Sequence, residues 1–539
     1  MDLKKIFSNI KRDTNKWSIL LLTIVLFIGI PIITIFINLI YGPGEMWGHI
    51  VKNLLSDYLI NSIFLIIGTS FFTLLFGVLS AWIVVRYQIP FRKQLQWLLI
   101  LPLAIPSYIT AYSYAGIFDY GGFFEKIFNL KIDIMNHFGL ILVLSFSLYP
   151  YVYVTTRAFF LNQSKNIIEA SKLLGAGERK TFFKLILPLA RPAFIGGLTL
   201  VLMEVLNDYG AAKYFGINTF TTGIFRAWFS LEELQTAIYL AALLVLIIFI
   251  IILIEKRQRR RIGYFNAVKN HQQIKRIKIS KIKQIMLFIF VLIPVLIGFL
   301  LPLFQLIFWA FLTFKEVLTL DFLYIAFQSL GISIFSAIVT VLFALFLIYF
   351  SKWNRLKYVK SIAKIGMLGY AIPGAVIAVG VLIPTLFIDK NIVIFFNDFL
   401  NTKIGFIING TALVLIYAYM IRYLAVAYSP IEASSLKLGK SLEETSKLLG
   451  KGNLYTFKKI EFPLLKPAIL SALILVFVDV MKELPLTLIL KPYRINTLAV
   501  KAYEYASDEM IAEAALPSLF IIFTGILPIL FLNKVISKN

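Results

Sequence analysis

The chain has 539 residues, of which 59% are hydrophobic, and it carries 53 Lys and Arg against 28 Asp and Glu. Its mean hydropathy of +0.85 exceeds what a soluble core requires and predicts an all-α polytopic membrane protein. The sequence has no cysteine, which excludes disulfides and thiolate metal sites. The three histidines are scattered, so no metal site is assigned.

In chain order, twelve apolar segments are long enough to cross a bilayer, because a spanning helix needs about 20 mostly apolar residues. The first segment is too long for the apolar part of a signal peptide and lacks a cleavage site, so we interpret it as the first transmembrane helix. The segments lie near residues 18–41, 58–85, 95–118, 138–156, 189–208, 234–254, 285–312, 328–350, 362–388, 409–427, 464–490 and 515–533.

The net charge of +25 is unevenly distributed along the chain. If the basic N-terminus is cytoplasmic, most Lys and Arg fall in cytoplasmic loops, which is the positive-inside asymmetry of membrane proteins. This arrangement predicts a multi-pass protein in a lipid bilayer with both termini in the cytoplasm. Because the positive charge lies in alternate loops and not on one surface, we expect no nucleic-acid partner.

A polar stretch at residues 169–188, EASKLLGAGERKTFFKLILP, recurs at residues 444–463 as ETSKLLGKGNLYTFKKIEFP. The repetition predicts a duplicated six-helix unit, with a first repeat at 1–255, a polybasic cytoplasmic linker at 256–284 and a second repeat at 285–539. Because six is even, the two repeats are parallel and related by an axis along the membrane normal. The linker is predicted to lie on anionic headgroups, with recognition of a partner as the alternative.

Each copy of the repeated stretch predicts a helical hairpin broken at glycine. In the first copy, Ala170, Leu173 and Leu174 lie on one side of the first helix and form an apolar ridge. Such a ridge suits a groove in another protein. The alternative is an amphipathic loop at the membrane surface without a partner.

Both copies resemble the EAA loop of the membrane subunits of binding-protein-dependent ABC importers. The family pattern is Glu-Ala-Ala, with Gly six residues after the Glu and Pro nineteen residues after it. The second copy departs further, since Thr445 and Ser446 replace both alanines, so we expect the two hairpins to couple unequally. The pattern positions are Glu169, Ala170, Ser171, Gly175 and Pro188, and then Glu444, Thr445, Ser446, Gly450 and Pro463.

The resemblance implies the type I ABC importer permease fold in a bacterial cytoplasmic (inner) membrane. It also implies two copies of an ATPase subunit that engage the hairpins, an extracytoplasmic solute-binding protein, and transport by alternating access. The permease would bind no cofactor and hold no catalytic residue, because ATP and Mg are used by the ATPase. Consistently, the nearest match to a phosphate-binding loop has Ser434 in place of its first glycine.

Two stretches most resemble the ferric-iron branch of this family. They are EVLNDYGAAKYFGINTFTTGIFRAW from Glu204 and DVMKELPLTLILKPYRINTLAVKAYEYASDEM from Asp479. Ferric iron is therefore the expected cargo, with thiamine, phosphonate and polyamine left open. A secondary transporter, which would need no ATPase, and an integral membrane enzyme are the alternatives from other functional classes.

The same stretches place acids inside the membrane. Glu204 and Asp208 are four residues apart, as are Asp479 and Glu483, so each pair is predicted to share a helix face. Intramembrane acids are costly unless they face a cavity or a partner, which predicts an acidic vestibule for a cationic cargo. The alternatives are that Lys482 neutralises a neighbouring acid, or that the groups form a solvated cap. The predicted pathway residues are Glu204, Asn207, Asp208, Asp479, Lys482 and Glu483.

Overall fold

The computed structural model describes residues 16–161, 165–260, 276–353, 366–400, 406–439 and 441–536. Residues 261–275 of the predicted linker and the N-terminal basic residues before 16 lie outside the described residues. Within the described ranges the chain is helical, and its one isolated β-bridge joins Tyr87 to Ile277. The described end of the linker therefore lies against the loop that follows the second long helix.

The long helices of the first repeat are α1 (Lys16–Asn38), α2 (Leu55–Arg86), α3 (Ser107–Phe118), α4 (His137–Leu161), α5 (Arg191–Asn207) and α6 (Leu234–Arg260). Those of the second repeat are α7 (Lys281–Val317), α8 (Leu320–Lys352), α9 (Gly374–Leu400), α10 (Ala412–Lys437), α11 (Phe462–Met481) and α12 (Ala515–Ile536). A π turn at Leu296–Leu300 interrupts α7 without ending it.

These helices confirm the polytopic all-α class. Among the described residues, nine helices are long and apolar enough to cross a membrane, or eleven if two bent pairs each count as one span. The twelfth predicted span lies in α12, the helix Ala515–Ile536, whose first part, Ala515–Ile526, is apolar. The predicted third span is not straight, because Arg92–Ala104 and Ser107–Phe128 meet at an angle of 93°.

Each repeat is built around three mutually packed helices. In the first repeat α2, α4 and α5 pack together, and in the second repeat α8, α10 and α11 do the same. The first helix of each repeat crosses to the other repeat, since α1 packs on α9 and α7 packs on α3. The two repeats are therefore interlocked, with α5 and α11 at matched positions.

Helix breaks occur at matched points of both repeats. Pro106 precedes α3 and Pro373 precedes α9, and in each case a short 3-10 helix ends just before the proline. Proline has no N–H to donate and disfavours helical geometry in the residue before it, so the preceding helix ends there. These breaks leave the N-termini of α3 and α9 inside the protein.

The predicted span 464–490 is also broken, because α11 ends at Met481 and a new helix, Pro485–Leu490, follows. In the first repeat α5 ends at Asn207 and a short helix, Gly210–Tyr214, follows. Asp208 and Glu483 therefore lie just beyond helix ends. The prediction that each shares a helix face with the acid four residues earlier was wrong in this respect.

Candidate coupling hairpins and translocation cavity

The two predicted hairpins have the same local structure. The first consists of Lys165–Leu173, Glu178–Thr181 and a π turn at Phe182–Ile186, and the second of Ser441–Leu448, Asn453–Thr456 and a π turn at Phe457–Glu461. Gly175 and Gly450 end the first helix of each, both with φ of +74°. This left-handed conformation strains residues that carry a Cβ, which explains glycine at both positions.

A hydroxyl pair closes each hairpin. Ser171 and Thr181 are bonded through their hydroxyl oxygens at 2.6 Å, and Ser446 and Thr456 are bonded in the same way at 2.7 Å. All four side chains are buried. The sequence contained this signal, because both the Ser and the Thr recur at the same positions of the second copy. Ser446, which departs from the family pattern, is thus the structural equivalent of Ser171.

The remaining pattern residues lie around this bond. Proline follows the π turn in each hairpin, where its missing N–H falls at an irregular point of the helical ladder. The exposed pattern residues are Glu169, Ala170, Glu444 and Thr445, and the prolines after the π turns are Pro188 and Pro463.

Each hairpin presents two exposed leucines beside its glycine. Leu173 and Leu174 are 89% and 87% exposed, and the matched Leu448 and Leu449 are 87% and 72% exposed. Leucines this exposed, outside the membrane spans and repeated at the same place, form a small apolar ridge that lacks a covering surface within the described chain. A ridge of this kind suits the groove of a partner.

An ion pair ties each hairpin to the second helix of its own repeat. Arg86 at the end of α2 donates to Glu178, with Nη2 and Oε1 2.9 Å apart. At the end of α8, Lys352 Nζ lies 2.5 Å from Glu461 Oε1 and 3.3 Å from Glu443 Oε2. In both repeats, ion pairs thus connect the hairpin to the second helix of that repeat.

Glu443 shows the electrostatic effect of this arrangement. Burial acts to raise the pKa of its carboxyl, but the hydrogen bond from Lys447 and the nearby Lys352 ammonium outweigh burial. The pKa of Glu443 is therefore held below its ordinary value of 4.5. Glu443 stays ionised, and the second hairpin stays tied to α8, at neutral pH.

The acidic cavity is a space of about 100 Å³ between α5 and α11, and all six predicted pathway residues line it. They come from the ends of these two helices, which occupy matched positions in the two repeats. Four carboxylates and two cations, Lys482 and Arg422, face this cavity. The structure therefore brings together the whole predicted set, at the point where both repeats have broken helices.

Two of the four carboxylates accept hydrogen bonds from groups at the helix breaks. Asp208 accepts from the hydroxyl of Ser107, at the N-terminus of α3, and from the Ala212 N–H at 3.0 Å. Glu483 accepts from Tyr423 Oη at 2.6 Å and from the Leu486 N–H at 3.1 Å. Both side chains are buried. They hold the broken helices in place, a role that the sequence did not reveal.

The other two carboxylates are more accessible. Lys482 Nζ lies 2.9 Å from Asp479 Oδ1, so the possibility that this lysine neutralises a neighbouring acid is realised for Asp479. Within the described residues, Glu204 makes no hydrogen bond or ion pair, although it lines the same cavity. Glu204 is therefore the carboxylate best placed to contact a cargo.

Asn207 connects the two repeats across the cavity. Its Oδ1 accepts from the Gly374 N–H at 2.8 Å and from Arg422 Nη1 at 3.1 Å. Arg422 also pairs with Glu483, with Nε and Oε2 3.3 Å apart. A Cβ added at Gly374 would lie 2.6 Å from Arg422 and Glu483, so a larger residue there would displace this pair.

Sequence reasoning missed Arg422 as a site residue. It is a cation within an apolar segment, which is the signal that could have identified it. Its matched position in the first repeat is Ser147, which also lines the cavity but is uncharged. The cavity is therefore asymmetric, with its charged cross-link supplied by the second repeat alone.

A basic cavity of about 480 Å³ lies on the other side of Tyr209, which lines both spaces. Three tyrosines form a partition between the cavities. The ring centroids of Tyr209 and Tyr503 are 5.9 Å apart and those of Tyr503 and Tyr108 are 6.4 Å apart. Tyr209 also stacks on Phe225 at 3.6 Å. We call this set the tyrosine partition.

Within the described part of the chain, no group of three or more His, Cys, Asp or Glu side chains is arranged to hold a metal ion.

Comparison with known proteins assigns the family. The model for the inner membrane component of binding-protein-dependent transport systems matches residues 73–264 and 363–539, once in each repeat and over more than half of the chain. One relative that matches over nearly the full length of both chains is the Fe(3+)-transport system permease protein FbpB 2 of Haemophilus influenzae. It is 25% identical over 530 residues, which cover 96% of this chain and 98% of the relative.

Sulfate permeases are similar over a shorter stretch. The sulfate transport system permease protein CysT of Salmonella typhimurium is 31% identical over 152 residues, which cover 28% of this chain and 54% of the relative. The CysT protein of Escherichia coli is 30% identical over 152 residues. The chain thus spans about half the length of these sulfate relatives. It belongs to the family of inner membrane components of binding-protein-dependent transport systems, as a two-repeat permease of an ABC importer.

Proposed function

We propose that this chain translocates ferric iron from a solute-binding protein into the cytoplasm, driven by two ATPase subunits that dock on its two hairpins. The observation that carries the proposal is the matched pair of exposed leucine ridges at Leu173 and Leu174 and at Leu448 and Leu449. Two docking elements at matched positions suit two motor subunits. ATP and Mg act on those subunits, and this chain contributes no catalytic residue.

The helices that follow the hairpins provide the mechanical path. α5 begins directly after the first hairpin, and its 17 residues extend about 25 Å to Asn207 in the acidic cavity. α11 has the matched position in the second repeat. Because Asn207 bonds to Gly374 on α9 and to Arg422 on α10, movement of α5 relative to these two helices makes or breaks a contact between the repeats.

In this mechanism the repeats alternate between two arrangements. Closure of the ATPase subunits on ATP draws the hairpins together, and the ion pairs at Arg86 and Lys352 transmit that movement to α2 and α8. The tyrosine partition then opens and admits cargo to the acidic cavity. Hydrolysis restores the first arrangement and releases the cargo inward.

The positive-inside distribution of Lys and Arg supports a cytoplasmic position for the hairpins and both termini. The basic cavity then faces outward, toward the solute-binding protein, because it lies beyond the end of α5. The polybasic linker would lie on the cytoplasmic surface of the membrane, where anionic headgroups attract Lys and Arg.

Two observations favour ferric iron as the cargo. The relative that matches over nearly the whole chain is a ferric-iron permease by its name. The acidic cavity also has four carboxylates against two cations, an excess of negative charge that attracts a cation. Sulfate is the second candidate, because the named sulfate permeases match part of the chain.

Transport in proteoliposomes tests the cargo. The permease is reconstituted with its ATPase and its binding protein, and uptake of radiolabelled ferric iron and of radiolabelled sulfate is compared. We expect ATP-dependent iron uptake that falls at least tenfold in Glu204→Gln, because the accessible carboxylate is lost. Lys482→Gln keeps all four acids, so iron uptake should persist in that variant. Sulfate uptake that survives Glu204→Gln but is lost in Lys482→Gln would instead identify an anion carrier.

A further inference from the structure

The basic cavity beyond the tyrosine partition has a charge opposite to that of the acidic cavity. Lys213, Arg226 and Lys491 line it, and within the described residues no Asp or Glu does so. The two cavities share Tyr209. A cargo that enters from the basic side therefore meets three cations before it meets the carboxylates.

Arg226 is held in place without a carboxylate. Its Nη2 donates to Asn218 Oδ1 at 3.0 Å. The carbonyl of Asn218 accepts from Asn61 Nδ2 at 2.9 Å, and Asn61 Oδ1 lies 3.0 Å from His137 Nε2. Neutral hydrogen bonds across three segments of the chain thus fix the guanidinium while leaving its positive charge uncompensated.

Lys213 and Lys491 add to this charge unequally. Lys213 is exposed and makes no ion pair in the described part of the chain. Lys491 pairs with Glu504, with Nζ and Oε1 2.8 Å apart, so its charge is largely compensated. Lys213 and Arg226 are therefore the cations that remain to attract a ligand.

We propose that the basic cavity is a binding site for a small anion, an oxyanion or a carboxylate, with Lys213 and Arg226 as its main contacts. Arginine and lysine are the side chains that bind such anions most strongly, through charge-assisted hydrogen bonds. The volume of about 480 Å³ is that of a small-molecule site and leaves room for an anion together with a metal that it chelates.

This site defines the form in which cargo arrives. The two uncompensated cations at the entrance, Lys213 and Arg226, repel a bare metal cation and raise the local concentration of anions. The cargo therefore enters either as a metal bound by anionic ligands or as an oxyanion itself. The inference depends on the proposed function in one respect only, namely that the basic cavity faces outward.

Equilibrium binding of radiolabelled sulfate to the full chain in lipid nanodiscs tests the site, without ATPase or binding protein. Citrate and ferric citrate serve as competitors. We expect saturable binding that weakens as chloride rises, because chloride competes for the same charges. Stronger competition by ferric citrate than by citrate identifies a chelated metal as the cargo, and sulfate binding tighter than either identifies an oxyanion.

Variants connect this binding to the named residues. Lys213→Gln and Arg226→Gln are each expected to weaken sulfate binding at least tenfold, because each removes a charged donor. Arg226→Lys keeps the charge and is expected to retain part of the affinity, which separates loss of the site from misfolding. Lys315→Gln, an exposed lysine at the same end of the protein, is the matched control and should bind as the natural chain does.

Two results would overturn the inference. The first is no saturable binding of sulfate or citrate by the natural chain. The second is unchanged binding in the double variant Lys213→Gln with Arg226→Gln. If that double variant keeps its sulfate binding but, in a separate binding assay, no longer associates with the solute-binding protein, the cavity docks an acidic protein surface instead. These measurements use no ATP, so they remain interpretable if the uptake experiment fails.

Discussion

Arg86 Nη2 and Glu178 Oε1 lie 2.9 Å apart, and this ion pair joins the end of α2 to the first hairpin. Arg86 is buried, with 5% of its side chain exposed, whereas Glu178 is 33% exposed. Loss of the carboxylate therefore removes this ion pair from a buried cation. The second repeat has an equivalent connection at Lys352, although the side chains that form it differ.

We expect Glu178→Gln to reduce uptake at least severalfold while the ATPase subunits still bind and hydrolyse ATP. The hairpin keeps its leucine ridge in this variant, but the charge that connects it to α2 is lost. Uptake and phosphate release are measured on the same proteoliposomes. Reversal of the pair, Arg86→Glu with Glu178→Arg, should recover part of the uptake. Equal loss of uptake and hydrolysis would show that the pair does not transmit movement.

The second hairpin gives a prediction about pH. The pKa of Glu443 is held low, so the stability that its ion pairs contribute is present at neutral pH and is lost only as the pH falls below about 4.5. We expect hydrogen exchange of residues 441–456, corrected for intrinsic rates, to stay constant between about pH 5 and 8. Lys352→Gln should raise the pKa of Glu443 and shift the onset of exchange to higher pH.

The first hairpin, which lacks this lysine, serves as the internal control for the exchange measurement. Its protection should not respond to Lys352→Gln. A uniform change in both hairpins would indicate general destabilisation of the protein, and the specific role of Lys352 would then be rejected.

The buried hydroxyl pairs predict equal effects in the two hairpins. Ser171→Ala and Ser446→Ala should each destabilise a hairpin by about 1 kcal/mol, because each leaves a buried Thr hydroxyl without that partner. Proteolysis rates within the hairpins provide the measurement, and Ser441→Ala, an exposed serine in the same helix as Ser446, is the control. An unchanged rate in both serine variants would contradict a structural role for the bond.

The tyrosine partition predicts controlled access to the acidic cavity. Because the chain has no cysteine, Met203→Cys introduces a single thiol into that cavity. A charged thiol reagent added from the side of the basic cavity should modify this thiol slowly in the resting protein. Tyr209→Ala with Tyr503→Ala should accelerate modification at least tenfold. Rapid modification before any tyrosine is replaced would show that the partition is not closed.

The hairpins were predictable from sequence because their information is local. Each glycine, serine and proline of the pattern follows closely after its glutamate, and the pattern occurs twice. What the sequence did not reveal is the function of the departures from the pattern. Ser446 looked like a degenerate position, yet it forms the same bond to Thr456 as Ser171 forms to Thr181.

The sequence predicted which residues line the acidic cavity, but it did not predict what each of them does there. Intramembrane acids four residues apart indicated a shared space, and all six predicted residues line one. The helix breaks could not be read from periodicity, so the hydrogen bonds that occupy Asp208 and Glu483 were missed. The basic cavity could not be predicted, because Lys213 and Lys491 lie in different repeats and only the fold brings them together.

Both leucine ridges are proposed to couple ATP hydrolysis to transport. Replacement of Leu173, Leu174, Leu448 and Leu449 by alanine removes both ridges, and each buried leucine contributes about 1.5–3 kcal/mol to an interface. Leu320→Ala, which removes a leucine that is 85% exposed at the opposite end of α8, is the control. ATP-driven uptake in reconstituted proteoliposomes is the direct measurement. We expect the fourfold variant to lose ATPase association and uptake while Leu320→Ala retains both. Full uptake by the fourfold variant, or uptake without any ATPase, would show that the ridges do not couple hydrolysis to transport.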